Sequence, residues 1–236
     1  MNICAWNSCG LGMLNKQYSI RNRLLNSNVD ICFLLKIKKD NFYDSFIRNL
    51  WNIVTVKWAF LESVGKLGGI IMMWDNSIFE VNSIEFGGGQ WISLCDKHVN
   101  SSFNYMVVGV YVTSSVQDHA KLWEDITTLK FAFELPMVVI SDFNETLHAH
   151  ERSNGYINHS GSAALRNFLS NYALIEFKLQ GSRFTWFRGG FMSCIDTTFA
   201  SPEFHLQFPF LSLCSYPRGV SDHCQLLLQT PKVDWG

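Results

Sequence analysis

The sequence predicts a fold of mixed class, α/β or α+β, in which sheets with many antiparallel strands pack against helices. Three observations support this prediction. Short apolar runs rich in β-branched residues recur along the chain, as is typical of buried strands. Longer segments with helical periodicity lie between some of them. Glycine-punctuated pairs of extended runs, most clearly around residues 87–89, indicate hairpins and argue against a purely parallel sheet.

The first half of the chain alternates between strands and one helix. Residues 2–7 form an apolar strand with the amide of Asn7 at its exit, and Gly10 in the next loop permits a sharp change of direction. Apolar positions between Tyr18 and Leu25 follow helical spacing. Further strands are predicted at residues 31–35, 70–74 and 105–111.

The second half adds two long helices and several strands. Residues 116–133 carry apolar side chains on one helical face, and residues 137–141 form a buried strand that ends at Asp142 and Asn144. A second helix is predicted at residues 162–172, and strands at 184–186 and 194–196. Ser201 is expected to cap a helix that begins at Pro202. The final strand follows Ser221-Asp222-His223.

The composition indicates one large globular domain. The chain has 236 residues, of which 47% are hydrophobic and 17% charged, and it contains no repeat or low-complexity linker. We therefore predict a single domain over residues 1–236 and expect a monomer. The apolar runs are too short to span a bilayer, and the first residues lack a secretory pattern, so no membrane association is predicted.

The cysteines and the net charge indicate the compartment in which the protein is found and the partners it is expected to bind. The seven cysteines show no C-x-x-C pairing, and several lie in strand-like runs that suit a buried free thiol. This distribution predicts an intracellular, reducing compartment, either nucleus or cytosol, and no zinc site. The formal net charge of −1 provides no basic footprint, which counts against tight binding of DNA.

Polar residues are predicted to close many of the apolar strands. They are Asn7, Tyr111, Asp142 with Asn144, Asp196, and Asp222 with His223. If these positions converge, their oxygens suit a hard cation such as Mg²⁺, and the histidine can serve a phosphoryl oxygen. Taken singly, Asp142 and Asn144 could form an Asx turn, and Asn7 could cap the loop that follows it. The set as a whole favours a site that cleaves phosphodiesters.

In this order, the motifs resemble the endonuclease/exonuclease/phosphatase superfamily. The resemblance is carried by Trp6-Asn7, Tyr111, Ser141-Asp142-Phe143-Asn144, Phe184-Thr185-Trp186, Ile195-Asp196 and Ser221-Asp222-His223. Within the superfamily, the chain is most similar to the apurinic/apyrimidinic-like endonuclease domain of plant LINE-type (non-LTR) retrotransposons. The resemblance implies a deoxyribonuclease I-like, four-layer α/β sandwich. Its two mixed, mostly antiparallel sheets pack face to face with helices outside.

The resemblance also implies roles for the catalytic candidates. Asp142 would orient or deprotonate the attacking water, and Asn144 would hold that water or the phosphate. Tyr111 would contact the scissile phosphate. His223 would stabilise charge on the phosphoryl oxygens while Asp196 fixes its tautomer. Thr185 and Trp186 are favoured as scaffold, although an exposed tryptophan could stack on a base.

The implied cofactor is Mg²⁺ or Mn²⁺, with Asn7 and Asp222 at the metal end of the site. Relatives place a glutamate after the second strand, where this chain has Lys36, and an ammonium cannot coordinate a cation. At about 4 Å and a dielectric of about 20, the swap loses roughly 8 kcal/mol of attraction and adds similar repulsion, before motion and screening reduce both. The sequence therefore predicts weakened metal binding.

Three milder departures accompany Lys36. Ser141 replaces a glycine, Thr197 replaces a frequent arginine, and Gln225 replaces a frequent proline. The chain also ends soon after the last strand, without a reverse transcriptase domain, which suggests a fragment of a decayed mobile element. Three functions follow: an impaired Mg²⁺-dependent DNA endonuclease, a non-catalytic remnant or nucleic-acid-binding module, and, less favoured, a phosphatase on a small phosphorylated substrate.

Overall fold

Two mixed β-sheets form the centre of the molecule. The computed structural model describes residues 1–39, 41–62, 68–113 and 115–231. In these ranges the strands are β1 Asn2–Asn7, β2 Ile31–Leu35, β3 Val56–Leu61, β4 Ile70–Asp75, β5 Phe79–Gly87, β6 Trp91–His98, β7 Asn104–Tyr111, β8 Met137–Asp142, β9 Ile175–Glu176, β10 Leu179–Gln180, β11 Trp186–Arg188, β12 Phe191–Ser193, β13 Asp196–Ala200, β14 Ser212–Tyr216 and β15 Gln225–Gln229. The helices are α1 Leu14–Asn26, α2 Asp44–Leu50, α3 Val116–Phe133, α4 His159–Asn171 and α5 Pro202–Gln207, with a 3₁₀ helix at Ala149–Glu151.

The strand order confirms the predicted mixed, mostly antiparallel sheets. The larger sheet has seven strands in the order β10-β14-β15-β1-β2-β4-β3, and the smaller has six in the order β5-β6-β7-β8-β13-β9. Strands β1 and β2, β7 and β8, and β10 and β14 pair in parallel, while the other pairs are antiparallel. Strands β11 and β12 form a separate hairpin.

Side chains that alternate between the two faces of each sheet, with both faces buried, produce four layers. Phe33 and Val107 point into the core between the two sheets. Leu34, next to Phe33, points to the opposite face and packs in the cluster that includes α1 and α2. On the smaller sheet, Leu122 of α3 and Phe168 of α4 cover the outer face. Helices therefore lie outside both sheets, as the predicted sandwich requires.

Several predicted boundaries are wrong because polar side chains compete for the backbone. Helix α4 begins at His159 instead of residue 162, because the Asn158 side chain accepts from the Gly161 amide at 3.3 Å. Residues 194–196 do not form the predicted strand: the Ile195 amide donates to Thr185 Oγ1 at 3.2 Å, and β13 begins only at Asp196. Strand β11 likewise begins two residues later than predicted.

Ser201 precedes α5 as predicted, but its hydroxyl does not cap the helix. It accepts from the backbone amide of Met137 at 3.1 Å and so ties α5 to β8. No helix within the described ranges is both long and apolar enough to cross a membrane.

Candidate active site

The predicted polar residues meet at one end of the two facing sheets. Strand β1 of the larger sheet ends at Asn7, and strand β8 of the smaller sheet ends at Asp142. Asp196 begins β13 instead of ending a strand, and Asp222 and His223 precede β15. Because β13 and β15 run antiparallel to β8 and β1, their starts lie beside the ends of those strands. The site therefore straddles both sheets.

These residues line a cleft of about 220 Å³. Its walls are formed by Asn7, Lys36, Tyr111, Asp142, Asn144, Arg152, Trp186, Arg188, Ser193, Ile195, Asp222 and His223. Asp196 lies behind the ring of His223. The structure thus brings together every residue that the sequence singled out for the site, including Lys36.

The imidazole of His223 lies between two carboxylates. Its Nδ1 is 3.0 Å from both oxygens of Asp196, and its Nε2 is 3.8 Å from Asp142 Oδ2. Burial lowers the pKa of His223, but the charges of Asp196 and Asp142 outweigh it and raise the pKa to about 9. The ring is consequently a cation at neutral pH, with Nδ1 donating to Asp196 and Nε2 able to donate into the cleft.

Asp142 is a fully buried carboxylate held by two donors. Its Oδ2 accepts from Asn7 Nδ2 at 2.7 Å, and its Oδ1 accepts from the Asn144 amide at 3.1 Å. Burial and the nearby charge of Asp196 raise the pKa of Asp142 above its usual range. A carboxylate with raised proton affinity suits a general base. Asn144, with φ of +50°, is anchored through Nδ2 to the Val112 carbonyl at 2.6 Å.

At the opposite end of the cleft, two oxygens converge on a thiol. Cys9 Sγ donates to Asp222 Oδ1 at 2.8 Å and lies 3.4 Å from Asn7 Oδ1. Trp186 Nε1 donates to Asp222 Oδ2 at 3.2 Å. Burial raises the pKa of Asp222, but the Cys9 hydrogen bond and the His223 charge outweigh it and lower the pKa below its usual value. Asp222 is therefore ionised at neutral pH.

Lys36 reaches the same cleft from the end of β2. Its backbone has a φ of +52°, and its Nζ lies 6.0 Å from the centroid of the Tyr111 ring. Burial and the charge of Asp142 raise the pKa of Tyr111, so the phenol stays protonated at neutral pH. Mg²⁺ requires oxygen ligands. The residues present fit it poorly, because Asn7 and Asp222 offer oxygens, whereas Lys36 offers none.

Four residues of the site were not predicted from the sequence. Arg152, Arg188 and Ser193 line the cleft, and Cys9 contacts Asp222 at one end of it. No local pattern marks Cys9, which lies in a loop after β1. Thr185 is buried, and its hydroxyl accepts from the Asp196 amide at 3.1 Å, which is the position of a scaffold residue. Trp186 holds Asp222 through a hydrogen bond.

Fold and site together define a deoxyribonuclease I-like sandwich with an acid–histidine cleft at the sheet ends. No protein-family model matches the chain, and no curated protein matches it either. Solved structures do. The endonuclease domain of TRAS1, a telomere-specific non-LTR retrotransposon, superposes with a TM-score of 0.72 at 10% identity, over 98% of this chain and 99% of that one.

Two further structures widen the comparison. AP endonuclease LMAP from Leishmania major has a TM-score of 0.77 at 15% identity, over 98% of this chain and 88% of that one. The mannosyl-6-phosphatase Bt3783 of Bacteroides thetaiotaomicron has a TM-score of 0.63 at 13% identity, over 97% and 98% respectively. The chain thus has the fold of the endonuclease/exonuclease/phosphatase superfamily, as its motifs indicated. At these identities the likeness concerns the fold.

Proposed function

We propose that this chain is a retrotransposon-derived DNA endonuclease domain whose divalent-metal binding is weakened by Lys36. The observation that carries the proposal is the pairing of buried Asp142 with the imidazolium of His223, backed by Asp196. A base and a cationic acid side by side suit hydrolysis of a phosphodiester. The shared fold with a retrotransposon endonuclease supports the choice of substrate.

Four residues of the cleft have a direct task in this proposal. Asp142 accepts the proton of the attacking water, and Asn144 holds that water or the phosphate. Tyr111, a neutral phenol, donates to the scissile phosphate. His223 donates from Nε2 to a phosphoryl oxygen as charge develops there. Mg²⁺ or Mn²⁺ is the cofactor that such chemistry calls for, but this chain retains only two oxygen donors for it, so we propose weak binding.

A plasmid-nicking assay with Mg²⁺ tests the proposal. Lys36→Glu replaces the ammonium with the missing oxygen ligand. We therefore expect this variant to nick about tenfold faster than the unmodified chain, which corresponds to an activation free energy lower by about 1.4 kcal/mol. Lys38→Glu is the matched control: it makes the same charge change on an exposed lysine that does not line the cleft. Lys36→Glu/His223→Ala should lose the gain.

The outcomes separate the alternatives. If the unmodified chain nicks as fast as Lys36→Glu, Lys36 does not disable the site. A gain in Lys38→Glu equal to that in Lys36→Glu would show a general charge effect. If all the variants are folded and inactive, the endonuclease proposal fails and a non-catalytic remnant is favoured.

A second candidate is a nucleic-acid-binding module without catalysis. Besides the imidazolium of His223, the cations Lys36, Arg152 and Arg188 line the cleft and suit phosphate groups even without a metal. Binding of a labelled DNA duplex in the presence of a chelator would favour this candidate, provided that Arg188→Ala weakens it and lowers its salt dependence. Release of phosphate from a sugar phosphate, without nicking, would instead favour the phosphatase alternative, whose fold is shared.

We further propose that the chain acts as a monomer in a reducing compartment of the cell. All seven cysteines are free thiols, which suits such an environment. Light scattering at micromolar concentration tests the oligomeric state.

A further inference from the structure

The metal end of the cleft contains a donor set that is softer than Mg²⁺ requires. Ligand atoms of Cys9, Asp222 and His223 all lie within 4.8 Å of one another. Thiolate, carboxylate and imidazole are the usual ligands of zinc, and three protein ligands with an open fourth position make an accessible zinc site. We propose that Cys9, Asp222 and His223 bind Zn²⁺ or a similar thiophilic divalent cation.

The position of the thiol favours this metal over a hard one. Asn7 Oδ1 and Asp222 Oδ1 both face Cys9 Sγ, at 3.4 and 2.8 Å. A hard cation placed between these two oxygens would have to displace the sulfur, whereas a thiophilic cation would bind it. The Cys9 thiol proton and the Nε2 proton of His223 both pass to solvent as the metal–sulfur and metal–nitrogen bonds form. The distance between Cys9 Sγ and Asp222 Oδ1 must increase from 2.8 Å to about 3.5 Å, because these atoms would be two ligands of a tetrahedral zinc at ordinary bond lengths.

Neighbouring contacts already orient the three ligands. Asp196 accepts from Nδ1 of His223, as in the usual carboxylate–histidine–zinc arrangement, and a metal at Nε2 would replace the contact of that nitrogen with Asn7 Nδ2 at 3.2 Å. Trp186 Nε1 fixes the outer oxygen of Asp222 at 3.2 Å. The sequence predicted no zinc site because it contains no C-x-x-C pair. The proposed ligands instead come from opposite ends of the chain, which β1 and β15 bring together.

Spectroscopy with cobalt tests the site without any assay of catalysis. The metal-free full chain is titrated with Co²⁺, and the thiolate-to-cobalt charge-transfer band in the near ultraviolet is followed. We expect a band that saturates at one Co²⁺ per chain with a Kd below about 10 μM, and that one equivalent of Zn²⁺ abolishes. Cys9→Ser should lack the band, with the fold checked by circular dichroism.

Two variants sharpen this test. Cys214→Ser is the matched control, because Cys214 is a half-buried free thiol in β14, outside the cleft, and the band should persist unchanged. Asp196→Asn should keep the band, since Asp196 orients the ring without touching the metal. A band that survives in folded Cys9→Ser, or no band in the unmodified chain, overturns the inference.

One consequence rests on the proposed function. Zn²⁺ bound here would occupy Asp222 and His223, so it should inhibit nicking by Lys36→Glu, and Cys9→Ser in that background should relieve the inhibition. The two proposals fail separately. A cobalt band without nicking in any variant retains the zinc site and rejects the nuclease, and nicking without a band does the reverse.

Discussion

Both carboxylate oxygens of Asp196 lie 3.0 Å from Nδ1 of His223, and this pair joins the two sheets at the site. Asp196 begins β13 in the smaller sheet, whereas His223 leads into β15 in the larger one. The Asn7 to Asp142 hydrogen bond of 2.7 Å crosses the same interface. The separation of the sheets therefore sets the distance between His223 and Asp142.

We predict that Asp196→Asn lowers the pKa of His223. Asparagine keeps the shape of the side chain but removes the charge that favours the imidazolium, so the pKa should fall from about 9 toward the ordinary value of about 6.5. The charge of Asp142 remains, so the pKa of His223 should stay above about 6.5. NMR titration of the ring protons in chelator-treated protein measures the change. Glu176→Gln is the control: this carboxylate accepts from the hydroxyl of Thr197, the neighbour of Asp196, and has no hydrogen bond to the ring, so the pKa of His223 should stay unchanged.

A second prediction concerns backbone strain at Ser141. This residue has a φ of +118°, a region that glycine adopts freely and other residues rarely do. This conformation accounts for the glycine that the family resemblance implies at this position. Ser141→Gly should raise the free energy of unfolding by about 1 kcal/mol, read as a higher urea midpoint with an unchanged slope.

Ser141→Ala is the control for that experiment. It removes the hydroxyl but keeps the Cβ, so the strain remains and no stabilisation is expected. Equal stabilisation by alanine and glycine would attribute the effect to the buried hydroxyl and not to φ.

The sequence predicted the fold more completely than the site. Apolar runs such as residues 31–35 and 137–141 report burial directly, so the central strands were found close to their true bounds. Helix α2 and strand β14 were missed, because a seven-residue helix and a half-buried five-residue strand leave little periodicity. Their existence depends on tertiary packing.

Within the site, the sequence did not predict contacts between residues that lie far apart along the chain. Family motifs located Asp142 and His223, which no local pattern connects. Cys9 could not be found this way, because its partner Asp222 lies 213 residues further along the chain. Asp196 was assigned to the wrong end of its strand, since the apolar residues before it are bound by Thr185 and Glu151 and not by the sheet.

A third prediction concerns Gly109, which allows the sheets to approach each other. A Cβ at this position would lie 2.1 Å from Cδ1 of Phe33, a fully buried side chain of the facing sheet. Gly109→Ala should therefore lower the free energy of unfolding by about 1 to 3 kcal/mol in urea denaturation. Gly12→Ala is the control, because nothing lies within 4 Å of its added Cβ.

A double variant checks the cause of that loss. Phe33→Leu shortens the side chain that meets the new methyl group, so Gly109→Ala/Phe33→Leu should be more stable than the sum of the two single losses predicts. Strict additivity would mean that the destabilisation by Gly109→Ala has another origin.

The fourth prediction is a pH dependence that comes from Asp96. This carboxylate is fully buried on β6, and neither of its oxygens has a hydrogen-bond partner among the described residues. Burial, with a contribution from the charge of Glu80, raises its pKa to about 7. The folded chain therefore holds a proton on Asp96 that the unfolded chain loses near pH 4, so the free energy of unfolding must fall as the pH rises from about 4 to about 7 and level off above that.

Asp96→Asn removes this dependence, because the amide carries no charge at any pH. We expect the variant to be more stable than the unmodified chain at pH 8 by about 1 to 3 kcal/mol, with the difference shrinking toward zero or reversing at pH 5. Urea denaturation at several pH values measures the difference in free energy of unfolding between the variant and the unmodified chain. Groups that titrate alike in both proteins do not contribute to this difference. Glu80→Gln should reproduce only a small part of the effect. A difference that is the same at pH 5 and pH 8 would mean that Asp96 does not change its protonation in this range.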